Sequence, residues 1–202
     1  MTIRVLLADD EKLILGALSA LLATEEDLEV VAEAENGLKA AALARKLIPD
    51  ICVLDLQMPG KDGITVIREL QQTHPSIRCL VVTSHAAPGY LKPALLAGAR
   101  GFVPKTTSAR ELADIIRMVH QGIRYIDPEM AADAISAGES PLTKREADIL
   151  SLAADGAPID EVAQRAVLAP GTTRNYLSNI TVKLKVANRH EAARVARQCG
   201  WI

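Results

Sequence analysis

Across the first 120 residues, short apolar runs recur at near-even intervals, and stretches patterned like helices fill every gap between them. The runs are IRVLLA (3–8), LEVVAE (28–33), ICVLD (51–55), IRCLVVT (77–83) and GFVP (101–104). A strand buried on both faces reads as continuous Val, Ile and Leu, because both its sides meet hydrocarbon. Between the runs lie stretches such as EKLILGALSALLAT, GLKAAALARKLI and SARELADIIRMVHQG. In the first of these, Leu13, Leu15, Ala17, Leu18, Leu21 and Leu22 are expected to form the apolar stripe. Strands alternating with helices build parallel sheets covered on both faces, and right-handed crossovers leave few topologies open. The expected fold is α/β: a flavodoxin-like (βα)5 domain with a parallel five-stranded sheet.

Residues 121 to 140, QGIRYIDPEMAADAISAGES, have little periodicity and read as a linker with partial helical character. After Pro141 the pattern is helical throughout. LTKREADILSLAADG closes on Gly, a helix stop. PIDEVAQRAVL spaces Ile159, Val162, Ala163, Ala166 and Val167 along one helical face. A short LAPG turn then leads into TTRNYLSNITVKLKV, and RHEAARVARQC supplies a further helix. The tail from 141 to 202 is therefore a small all-α domain containing helix, tight turn, helix.

Charge separates the two ends. The chain carries -2 overall, yet residues 171–202 hold Arg174, Lys183, Lys185, Arg189, Arg194 and Arg197 against Glu191 alone, a local +5. That asymmetry suits an anionic partner for the tail. With one Phe, one Trp and three Tyr in the chain, stacking on bases is not its theme. The three Cys, at 52, 79 and 199, have no metal spacing, and two lie in apolar runs as small hydrophobes. Neither a leader pattern nor a run long enough to span a bilayer is present, so a cytoplasmic protein without membrane insertion is expected.

Strand ends in such a sheet gather along one edge, where ligands bind. The edge here collects Asp9 and Asp10 after the first run, Asp55 after the third, Thr83 and Ser84 after the fourth, and Lys105 after the fifth. Each alone reads more simply as a helix cap, a turn residue or a solvated cation. Together they form a set with its own chemistry. Clustered carboxylates call for a cation, and oxygen ligands suit Mg2+. An ammonium and a hydroxyl complete a pocket for a phosphoryl group, with a carboxylate as the attacking nucleophile.

The pieces LLADDE, VLDLQMPGKDG, LVVTS and GARGFVPK resemble a response-regulator receiver domain over residues 1 to 120. The resemblance implies that Asp55 is the phosphoacceptor, that Asp9, Asp10, Asp55 and the backbone carbonyl of Gln57 hold Mg2+, and that Lys105 pairs with the phosphate. Thr83 and Phe102 would be the switch residues, and Pro59 and Gly60 would shape the adjoining loop. Receivers commonly carry Pro after that Lys, whereas here Pro104 precedes it and Thr106 follows. Residues 141 to 202 resemble the LuxR-type helix-turn-helix of the NarL/FixJ class. In its recognition helix Thr173, Tyr176, Leu177, Ile180 and Leu184 would be buried. Arg174, Asn175, Ser178 and Asn179 would then face base edges, while Lys183, Lys185 and Arg189 would meet phosphates. Ala169 stands where the class often has Ser, and Pro170 suits a first helical position.

Over its full length the chain is similar to DesR-type regulators, paired with membrane-thermosensor kinases, through LGALSALLATEEDLEVVAEA, APGYLKPALLAGA, TTRNYLS and the closing GW. These resemblances imply a transcription regulator rather than an enzyme. It would take its phosphoryl group from a sensor histidine kinase, dimerise on phosphorylation and bind double-stranded promoter DNA. Three rivals are weaker. A flavin site would want Ser, Thr and Gly amides where ADDE stands. A haloacid-dehalogenase-type phosphatase would want Asp at position 57, where Gln stands. A third rival keeps the tail and makes the first domain a phosphorylation-independent interaction module, but no residue that the phosphoacceptor site needs is missing.

Overall fold

The computed structural model describes residues 2–84, 88–138 and 140–202. Its first unit ends at Ala132 and its second begins at Asp133. In the first, strands and helices alternate: β1 (Ile3–Ala8), α1 (Lys12–Leu22), β2 (Leu28–Ala34), α2 (Gly37–Leu47), β3 (Ile51–Leu54) and α3 (Gly63–Thr73). They continue as β4 (Arg78–Thr83), α4 (Leu91–Ala97), β5 (Gly101–Pro104), α5 (Ala109–His120) and β6 (Tyr125–Ile126), and α6 (Pro128–Ala137) begins in this unit and ends beyond its last residue. All strand pairs are parallel, in the order β2-β1-β3-β4-β5-β6. The sheet thus has six strands where five were expected. The extra one is two residues long, too short to show any period, and pairs with Gly101 and Phe102 at the open edge.

Alternate strand positions bury on opposite faces. Val5, Leu7, Val53, Leu80, Val82 and Val103 pack with Leu15, Leu22, Leu112, Ile115 and Ile116 of α1 and α5. The intervening positions, among them Leu6, Cys52, Leu54, Cys79, Val81 and Phe102, are equally buried on the other face. Cys52 and Cys79 are register partners with no exposure, and burial pushes the Cys79 thiol up to about 12. They pack as hydrophobes and do no thiol chemistry at neutral pH.

The expected stripe on α1 divides in two. Leu15 and Leu22 enter the core with Leu18 against it, while Leu13, Ala17 and Leu21 face outward. The helix is apolar nearly all round, so periodicity could not choose its buried face. The stretch read as a linker holds both β6 and α6; within it, Glu139 lies outside the described residues. Asp127 starts α6 by accepting the amides of Glu129 and Met130 at 3.1 and 3.0 Å.

The second unit contains α7 (Lys144–Ala153), α8 (Ile159–Ala166), α9 (Pro170–Leu184) and α10 (Arg189–Gln198). Its core joins Ile149, Leu150, Val162, Leu177, Ile180 and Ala192. The turn between α8 and α9 is tighter than expected, because Pro170 and Gly171 already belong to α9. Val167 is not on the α8 face: it caps that helix in the left-handed region, with φ 56° and 88% of its surface exposed. A β-branched residue there costs about 1–2 kcal/mol and here recovers little by burial. Val167→Asn should therefore raise the stability of this unit by about 1 kcal/mol in a denaturant melt, since Asn tolerates positive φ; a lower midpoint would contradict the strain.

Candidate functional site

Asp55 follows β3 at the carboxyl edge of the sheet, held by its amide donating to the Ala8 carbonyl at 2.9 Å. Its side chain is buried, and Oδ1 accepts the Leu56 amide at 2.7 Å. The loop after it folds back so closely that α3 starts against the Asp55 backbone. A Cβ on Gly63 would lie 2.2 Å from the Asp55 carbonyl oxygen, so glycine is required there. Gly60, at φ 77°, provides the turn that makes this return possible.

Around Asp55 the other strand ends converge. Carboxylate oxygens of Asp9, Asp10 and Asp55 all lie within 4.8 Å of one another. Asp9 is buried and Asp10 is exposed. The Lys105 ammonium sits among them, 2.7 Å from Asp9 and 3.3 Å from Asp55, with its side chain only 8% exposed. It also reaches Glu11 at 3.0 Å. Burial acts to lower the Lys105 pKa, but hydrogen bonds to Asp9 and Glu11 and the Asp55 and Asp9 charges outweigh it, and the ammonium is held above its ordinary value. Asp9 is raised: burial outweighs its hydrogen bonds from Lys105 and the Glu11 amide, and the Asp55 charge adds to burial. One lysine does not neutralise three carboxylates. A compact set of hard oxygen donors with excess negative charge fits a divalent cation.

Thr83 ends β4 fully buried, and its carbonyl accepts the Lys105 amide at 2.9 Å. In register Val81 pairs with Phe102 and Thr83 with Pro104, so Thr83 and Phe102 share one sheet face on neighbouring strands. Phe102 is 1% exposed, already turned into the core. Gln57 is exposed, and its side-chain amide reaches the Tyr90 hydroxyl at 3.5 Å. With Asp10, Met58, Pro59, Arg68 and Tyr90 it lines a cavity of about 790 Å³ opening beside the cluster. Glu11 is the residue that sequence reasoning left without a role. Its signal was the third acid of ADDE, which also reads as an ordinary first-turn acid.

On α9, Thr173, Leu177 and Ile180 are buried, Tyr176 and Leu184 half-buried, and Arg174, Asn175, Ser178 and Asn179 exposed, as the stripe predicts. Ala169 makes no side-chain cap; Pro170 occupies the first turn instead. Lys185 is exposed at the left-handed end of the helix. The other two basic residues are less free than expected. Lys183 is ion-paired at 2.7 Å with Glu146, a buried acid of α7. Arg189 is half-buried, with Nη1 shielded from solvent and lacking a hydrogen-bond partner among the described residues. Among those residues no helix is long and apolar enough to cross a membrane.

Residues 5–117 match the response regulator receiver domain family, and residues 140–196 match the bacterial regulatory proteins of the luxR family. The chain is 40% identical over 199 residues to the transcriptional regulatory protein DesR of Bacillus subtilis, covering 98% of each. It is also 40% identical over 200 residues to YvfU, an uncharacterized transcriptional regulatory protein of the same organism, covering 99% of this chain and all of that one. Among solved structures, the response regulator ChrA of a heme-sensing two-component system aligns over 100% of this chain and 99% of its own at 31% identity, with a TM-score of 0.61. The two-component response regulator RcsB in its DNA complex aligns over 98% and 99% at 25% identity, with a TM-score of 0.68.

Proposed function

The chain belongs to the response regulators that join a receiver domain to a LuxR-type DNA-binding domain, and from that premise we propose a phosphorylation-gated, promoter-binding transcription regulator. Residues 1–120 serve as the receiver, 121–140 as the connection and 141–202 as the DNA reader. The observation that carries the reading is the buried Asp55 carboxylate beside the Lys105 ammonium at 3.3 Å, with two more carboxylates in reach. Asp55 attacks the phosphorus of a phosphohistidine on a sensor histidine kinase. The bond from phosphorus to the imidazole nitrogen breaks, that nitrogen keeps the electron pair, and an acyl phosphate forms on Asp55. The neighbouring cavity gives the departing group room. Lys105 pairs with phosphoryl oxygens. Asp9, Asp10, Asp55 and the Gln57 carbonyl would hold Mg2+, whose charge offsets that of the transferring group. Self-phosphorylation and self-dephosphorylation are the only catalysis this requires, and the cytoplasm is where kinase, DNA and protein meet.

Thr83 and Phe102 form the switch. Phosphorylation moves a two-state equilibrium only through contacts that differ between the states. A hydrogen bond from the Thr83 hydroxyl to the phosphoryl oxygen would be such a contact. With Phe102 already buried, the repacking it reports is a bias toward this inward arrangement, passed to the surface of α4, β5 and α5. Thr83→Ala should accept the phosphoryl group and lose most of the gain in dimerisation, read by light scattering; full dimerisation of the phosphorylated variant would remove Thr83 from the switch.

Dimerisation is supported by α1. Leu13, Gly16, Ala17, Ala20 and Leu21 make one exposed stripe with no charge in it. Beside it stands Arg117 of α5, paired with Glu25, Asp27 and Asp114. A second copy would bury this stripe against its own. Two tails would then address two DNA half-sites, with Arg174 and Asn175 reading bases and Lys185 meeting phosphate. The test is fluorescence anisotropy on a promoter duplex with phosphorylated and unphosphorylated full-length protein; equal affinity in both states would leave the receiver without control of the tail.

A further inference from the structure

The first turn of α7 carries two consecutive charged side chains that reach away from their own helix. Arg145 donates from Nη2 to the carbonyl of Ala166 at 2.7 Å, at the last residue of α8. Glu146 accepts the Lys183 ammonium on Oε2 at 2.7 Å, and Lys183 lies in the last turn of α9. Neighbouring residues of α7 therefore hold the C-terminal ends of both helices of the helix-turn-helix.

Each contact has a physical reason. The last carbonyls of a helix have no intrahelical donor, and a guanidinium there satisfies one while complementing the helix dipole. Glu146 is only 5% exposed, and a buried carboxylate needs a counter-charge and filled lone pairs. The same Oε2 accepts the Thr143 amide at 2.7 Å and hydroxyl at 2.9 Å, closing the capping box that starts α7. Against burial, the Lys183 and Thr143 hydrogen bonds leave the Glu146 carboxyl below its ordinary value, so the pair is charged at neutral pH. Neither link is local, since the partners are 21 and 37 residues apart.

We propose that Arg145 and Glu146 are positioning residues, a clamp on α7 that sets the relation of α8 to α9, and that Lys183 serves this clamp rather than a nucleic-acid phosphate. The inference rests on the DNA-reading role of α9 given above. Base-reading side chains in the first half of α9 need placement to well under 1 Å. Buried contacts at Thr173, Leu177 and Ile180 hold one side of that helix. The Glu146–Lys183 pair holds its far end, so releasing it lets α9 swing about those contacts and misplaces Arg174 and Asn175. Lys185, exposed one turn's end away with no ion pair recorded among the described residues, remains available for phosphate.

Two measurements on the full-length protein test this. In amide hydrogen exchange, Lys183→Met and Glu146→Gln should each speed exchange in the last turns of α9 about tenfold, and the double variant should go no further than either single one. Arg145→Met should do the same at the end of α8. Lys183→Met does not disturb the α7 cap, so it remains informative if Glu146→Gln folds poorly. In the second measurement, the wild type selects a duplex from a random-sequence pool, and affinity for that duplex is followed over a salt series. Lys183→Met should weaken binding about tenfold with the slope of log K against log salt unchanged, whereas Lys185→Met should reduce that slope by about one. Unchanged exchange, additive exchange in the double variant, or a Lys183→Met slope reduced by about one would each overturn the clamp. If the wild type selects no duplex, the DNA-reading role itself fails, and exchange alone then decides the clamp.

Discussion

Incubated with phosphoramidate and Mg2+, the wild type should gain one phosphoryl group by intact mass, and Asp55→Ala should gain none. The expected difference is close to all or nothing, because no other carboxylate shares the position of Asp55. Asp9 is buried at the side, its oxygens accepting from the Lys105 ammonium and the Glu11 amide, and Asp10 is exposed at the rim. Asp55 is buried at the end of its strand, 3.3 Å from the Lys105 ammonium, with one carboxylate oxygen held by the Leu56 amide. Chelating the divalent ion should suppress uptake as well, since three carboxylates and an incoming phosphoryl group repel one another without it. Lys105→Met should slow uptake about 10²–10³-fold, the usual loss when one preorganised charge partner of a transferring group is removed. Glu11→Gln should change the rate far less, because its carboxylate is 57% exposed and contributes through Lys105 only. Labelling of Asp55→Ala at the wild-type level would sink the assignment.

What sequence could reveal follows from how local each determinant is. The strands β1, β3, β4 and β5 were legible nearly to the residue, because a parallel strand buried on both faces has no polar side to blur its ends. Asp9, Asp10, Asp55, Thr83 and Lys105 were legible as a set because the topology alone brings those strand ends to one edge. The outward face of α9 was legible for a similar reason: Thr173, Leu177 and Ile180 leave Arg174, Asn175, Ser178 and Asn179 nowhere else to go. β6 was not, since Tyr125 and Ile126 form a strand only by pairing with β5. The start of α6 was missed although Asp127 and Pro128 spell a cap followed by a first helical proline. The Lys183–Glu146 ion pair could not be read at all. Glu146 comes from another helix, and an exposed phosphate contact and an internal ion pair look alike in sequence.

Phosphorylation should tighten binding to a two-half-site promoter duplex about 10²–10⁴-fold, the gain expected when a second identical contact becomes intramolecular. The same gain should disappear in Leu13→Glu and Leu21→Glu, which leave Asp55 and α9 untouched. Leu13 is 87% and Leu21 47% exposed on the uncharged stripe of α1. Burying a leucine side chain fully is worth about 1.5–3 kcal/mol. Scaled to the surface each leucine still exposes, two from each copy would contribute roughly 4–8 kcal/mol, while association itself costs roughly 4–15 kcal/mol. These nearly cancel, which is the condition under which a modest bias from Thr83 and Phe102, carried by α5 where it packs on α1, decides the outcome. A far more apolar stripe would dimerise without phosphate, and a charged one would not dimerise with it. Base reading is separable from this step. Arg174→Ala or Asn175→Ala should cost about 1–3 kcal/mol per half-site and relax base preference while leaving dimerisation intact. Sedimentation of each phosphorylated variant, run beside anisotropy on duplexes with one and two half-sites, resolves the two contributions. If phosphorylated Leu21→Glu stays monomeric yet binds the two-half-site duplex as tightly as the wild type, phosphorylation must act on the tail by a route other than dimerisation.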